Sequence, residues 1–82
     1  MSHKAIIDEG GGPAAVARSI SEIEEKHGRA PVDANTTKAW KRSDSIPNAY
    51  WFAFSEAGLA SLERLAQAAA ARRPAAPEAV QA

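Results

Sequence analysis

Cysteine is absent from this 82-residue chain. Disulfides, thiolate zinc sites and thiol catalysis are thereby excluded, and a small domain without such staples suits the cytoplasm. Long apolar runs are missing too. None approaches the roughly 20 residues needed to span a bilayer, and no secretory leader is read before the first helical segment, so no membrane partner is expected. Net charge is also lacking, ten basic residues balancing ten acidic ones, so composition alone exerts no pull towards a polyanion. Aromatic residues make up only 6% of the chain, and alanine supplies much of its apolar content. The larger apolar side chains fall in four clusters. Without β-branched alternation between them, they predict several short helices around one modest core rather than a sheet.

Helix punctuation is plentiful by contrast. Ser2 reads as the N-cap of a helix ended by Gly10-Gly11-Gly12. Pro13 suits the first turn of a second helix, which carries Ala14, Val16, Ala17, Ile20 and Ile23 at helical spacing until Gly28 stops it. Ala30-Pro31 then enforces an extended exit. Asp33 reads as the N-cap of a third helix, 34–42, with Thr37 and Trp40 as its inward stripe. Ser43 to Pro47 is a polar turn. Pro47 opens a fourth helix holding Tyr50, Trp51 and Phe54, with Phe52 or Tyr50 expected to be partly exposed and Gly58 as its stop. A fifth helix is expected from about Leu59 to Arg72, packing Leu59, Leu62, Leu65, Ala66 and Ala69 on one side. The predicted domain is 1–73, and 74–82 reads as a tail with nothing to bury.

Catalytic chemistry finds no support. Ser19, Ser21 and the run Glu22, Glu24, Glu25 read as a solvated helix face, and the triple glycine lacks the strand and the Gly-Lys-Ser/Thr ending of a phosphate loop. His3 and His27 have no metal-ligand spacing around them, and His27 suits a helix C-terminus. No metal, cofactor or small-molecule substrate is expected, and the chain does not read as an enzyme.

The order of small and branched residues carries more. A helix-turn-helix needs a small residue where its two helices cross, branched apolar neighbours to lock the crossing, and a capped second helix whose first residues reach base edges. Ala17 between Val16 and Ile20, Val32 before Asp33, and Trp40 at the far end meet those needs. The segments 11–20 (GGPAAVARSI), 32–40 (VDANTTKAW) and 45–47 (SIP) together resemble the λ-repressor/Cro-like superfamily, particularly small Cro- and YdaS-like phage regulators. The connection from Ile20 to Val32 is about eight residues longer than the usual tight turn, which implies a second helix extended by about two turns. Thr37 stands where the family usually has Val or Ile, so its hydroxyl must find a backbone carbonyl.

The resemblance implies an all-α, five-helix, λ-repressor-like domain with an extended second helix, acting as a bacterial or phage-type transcriptional regulator, a repressor, on double-stranded DNA. It implies base-edge contacts from Ala34, Asn35, Lys38 and Ala39, on a recognition helix that also includes Thr36. Lys41 and Arg42 are expected near the DNA backbone, and Ser45, Asn48 and Tyr50 as further phosphate donors. The start of the second helix, around Gly12 and Ala14, is expected to flank them. One such domain reads about a half-site, so a homodimer is expected, through the fourth or fifth helix. The alternative expectation is an interaction module, an antitoxin or anti-regulator, that keeps the scaffold and binds a partner protein. The zero net charge and acidic second helix favour it.

Overall fold

Ser2 opens the first helix, as expected: its hydroxyl accepts from the Ala5 N–H at the start of α1 (His3–Glu9). The computed structural model describes residues 2–71; the expected tail at 74–82, and Arg72 and Arg73 before it, lie outside the described residues. Four more helices follow, α2 (Pro13–Lys26), α3 (Ala34–Ser43), α4 (Trp51–Glu56) and α5 (Leu62–Ala71), with a single 3-10 turn at Asn48–Tyr50. The protein is all-helical, with no strand among the described residues.

Four of the helices end the same way. The N–H two residues past the last turn reaches five residues back: Gly12 to Ile7, Arg29 to Glu24, Ser45 to Trp40, and Leu59 to Phe54. This closure needs one residue in the left-handed region. Gly11, Gly28 and Gly58 supply it at three ends, with φ of 103°, 78° and 78°. At the end of α3 it falls to Asp44, φ 56°, a position that aspartate tolerates better than most side chains. Gly10 is small for another reason. A Cβ there would stand 2.9 Å from Val16 Cγ2, so the turn between α1 and α2 closes only without one.

The core unites Ile6, Ile7, Val16, Ile20, Trp40, Ile46, Phe54 and Leu65 from every helix, with Ile46 in the link after α3. Its polar keystone is His3, only 2% exposed. The Ile46 N–H donates to His3 Nδ1 (2.8 Å), while His3 Nε2–H donates to the Leu65 carbonyl (2.9 Å). One acceptor and one donor assign the Nε2–H tautomer of a neutral ring. Trp51 Nε1–H donates to the Ile46 carbonyl at 2.8 Å, so both backbone groups of buried Ile46 are satisfied by rings.

Three sequence expectations change. The fourth helix does not start at Pro47, whose ψ of 142° is extended; the chain tightens through the 3-10 turn and becomes α-helical only at Trp51. The fifth starts later than Leu59, because Leu59 and Ala60 complete the closure of α4 and the Ser61 hydroxyl caps Arg64 N–H at 3.0 Å. Its buried positions are Leu65 and Ala68, whereas Leu62 is 48% exposed and Ala66 lies outside. The acidic run on α2 is not wholly solvated either. Glu24 is 3% exposed and takes both Nε–H and Nη2–H of Arg29, as a buried carboxylate requires. Ser21 is likewise part of the frame: its hydroxyl donates to the Val32 carbonyl and accepts from the Val32 N–H, both at 2.9 Å.

Candidate nucleic-acid interface

Thr37 fixes how α3 lies against α2. It is fully buried, and its hydroxyl stands 2.7 Å from the Pro13 carbonyl and 3.1 Å from that of Ala34. The β-hydroxyl thus reaches the first turn of α2 while its methyl packs, meeting the requirement read from the sequence. Ala17 is 5% exposed on the facing side. Asp33 caps α3: Oδ1 accepts from the Thr36 N–H (2.9 Å) and from its hydroxyl (3.1 Å). These bonds, the backbone one first, hold the Asp33 carboxyl below the ordinary carboxylate range.

With Thr37 and Trp40 turned inward, the opposite face of α3 presents Asn35, Lys38 and Arg42 to solvent. Ala34 and Ala39 are half-buried at its margins. Thr36 is exposed but engaged in the cap. No carboxylate lies within ion-pair distance of Lys38 or Arg42 among the described residues, whereas Lys41 pairs with Asp8 of α1 at 2.8 Å. Arg29 is likewise taken by Glu24. The positive charge of Arg29, Lys38, Lys41 and Arg42 is therefore partly neutralised in space, and its open part concentrates on Lys38 and Arg42.

Residues beyond α3 divide. Ser45 is half-buried and its N–H donates to the Trp40 carbonyl; Asn48 is exposed. The Tyr50 ring packs 4.9 Å from that of Trp40, so its ring serves the core. Of the expected flank at the start of α2, Ala14 lines a groove with Ala34, and the neighbouring Pro13 borders Lys38 and Arg42.

Sequence reasoning missed Lys4. It lines a surface notch with Pro13, Lys38, Lys41, Arg42 and Asp44, brought there because its own N–H donates to Asp44 Oδ1 at 2.8 Å. No local signal marks this contact across forty positions of chain. A second groove, between α2 and α3, carries Arg18, Glu22 and Glu25 over an apolar floor of Ala17 and Val32. No group of three or more metal-ligating side chains occurs among the described residues, and no described helix is long and apolar enough to cross a membrane. Comparison with known protein families, curated proteins and solved structures returned no match.

Proposed function

We propose that this protein is a sequence-specific DNA-binding transcriptional regulator of λ-repressor/Cro-like helix-turn-helix type, a repressor, that reads the major groove with α3. The observation that carries this reading is the exposed Asn35–Lys38–Arg42 face on a helix locked to α2 by Thr37 and capped by Asp33. Asn and Lys are base-edge readers of adenine and guanine, and Arg42 suits the DNA backbone. The run of α2 to Lys26 takes up part of the long connection noted in the sequence. Each protomer reads about a half-site, so the working form is a homodimer on a pseudo-palindrome.

Selection of bound duplexes from a random pool tests this reading. A symmetric enriched motif is expected, together with affinity that falls steeply with salt. The double substitution Lys38→Ala/Arg42→Ala is expected to abolish the selected shift. Absence of any shift at low salt overturns the reading.

A second reading is supported by the pairing of Lys41 and Arg29 with carboxylates and by the groove carrying Glu22 and Glu25. Here the scaffold binds a partner protein instead, as an antitoxin or anti-regulator does. A protein that gives no DNA shift yet loses a co-purifying partner on Glu22→Lys/Glu25→Lys supports it.

A further inference from the structure

The notch between α1 and α3 holds charge that α3 alone does not explain. Of its six lining residues, Lys4, Lys38 and Arg42 are cations with no carboxylate at ion-pair distance among the described residues, Lys41 is paired with Asp8, Pro13 forms an uncharged wall, and Asp44 is the one carboxylate in the lining. Lys4 is exposed and comes from α1, more than thirty residues away in the chain from the α3 cations. Its placement is enforced: the Lys4 N–H is held by Asp44, and the neighbouring turn of α1 is held by Asp8 to Lys41. Like charges gathered on one concave surface cost energy in the free protein and are relieved by an anion.

We propose that this notch seats a backbone phosphate of duplex DNA, with Lys4 as a contact outside α3 and Asp44 as a built-in brake on its affinity. The proposal rests on the DNA-binding reading above, because Lys38 and Arg42 belong both to the notch and to the exposed α3 face. That continuity selects duplex DNA as the source of the phosphate. Lys4 contributes a point charge without sequence information. Asp44 is retained in spite of its repulsion because it performs two structural tasks, closing α3 in the left-handed region and accepting the Lys4 N–H. Asparagine performs both through the same Oδ1 position and favours the left-handed region, so Asp44→Asn removes only the charge.

Fluorescence anisotropy of the full chain with a labelled mixed-sequence duplex, titrated over a series of potassium chloride concentrations, tests this. Lys4→Gln is expected to weaken binding about 5–10-fold near 0.1 M salt and to lower the magnitude of the salt slope by about 0.9, the signature of one lost phosphate contact. Asp44→Asn is expected to tighten binding several-fold at the same salt. That gain cannot arise from a damaged fold, and thermal unfolding of both variants is expected to match the parent protein. If the parent binds and Lys38→Ala/Arg42→Ala fails to bind, while Lys4→Gln and Asp44→Asn both equal the parent, the notch proposal is overturned alone. If the parent itself does not bind at low salt, the DNA-binding reading falls and the notch proposal with it.

Discussion

At the residue scale, Thr37 separates shape from polarity. Both carbonyls near its hydroxyl belong to helices and already accept intrahelical N–H bonds, so removing the hydroxyl orphans neither of them. Its fully buried methyl has no such substitute. Thr37→Val is therefore expected to lie within about 1 kcal/mol of the parent in urea denaturation, because a hydrogen bond contributes roughly that much net. Thr37→Ser, which keeps the hydroxyl and deletes a buried methyl, is expected to cost about 1–1.5 kcal/mol. A Thr37→Val loss much larger than that of Thr37→Ser would refute this division. The Thr37 hydroxyl was legible in the sequence as a need for a carbonyl; that Pro13 supplies it was not, because twenty-four positions separate them.

At the element scale, α3 depends on its two ends. Asp33 satisfies the first turn, and Asp44 closes the last with φ 56°. Because bonds from Thr36 depress the Asp33 carboxyl, the folded state binds its proton less readily than the unfolded chain. The cap's stabilisation is full above the unfolded carboxylate pKa of about 4 and is lost as pH falls through the lower folded value. Asp33→Asn is expected to retain the cap while losing that part of the acid dependence. Asp33→Ala is expected to lower the thermal midpoint by several degrees at neutral pH. Thermal scans between neutral and strongly acidic pH check both, and equal acid sensitivity of the parent and Asp33→Asn would contradict the assignment. Glu56 behaves in the same direction, since bonds from His27 first and Lys26 second hold its carboxyl low. These bonds fasten the ends of α2 and α4, so acidification also loosens that corner. Helix starts at Ser2, Pro13 and Asp33, and stops at the three glycines, were legible because caps and closures are local chemistry. The starts of α4 and α5 were not, because the closure of α4 and the rings around Ile46 fix them.

At the scale of the whole molecule, His3 joins the first described helix to the last. Its ring links α1, the Ile46 segment and α5, and meets Trp51 edge-on at a centroid distance of 5.9 Å. His3→Leu keeps the bulk but leaves the buried Ile46 N–H without its partner, for which a loss of about 2–4 kcal/mol is expected. Urea denaturation followed by tryptophan fluorescence reads it, since Trp51 borders the site. A loss under about 0.5 kcal/mol, the scale of an ordinary surface substitution, would mean that the ring is not a keystone.

By itself the sequence determined where α1, α2 and α3 begin, where glycines stop α1, α2 and α4, which small and branched residues let α2 and α3 meet, and which face of α3 carries Asn35, Lys38 and Arg42. Each of these follows from local backbone preference or from helical periodicity, both properties of a few consecutive residues. Only the tertiary structure decided that His3 and Glu24 are buried, that Asp8 and Glu24 take up Lys41 and Arg29, and that Lys4 joins the α3 cations around one notch. The Glu24–Arg29 pair depends on how the chain turns back after α2. The His3, Lys4 and Lys41 contacts join groups far apart in the chain, where spacing along the sequence carries no information about distance in space.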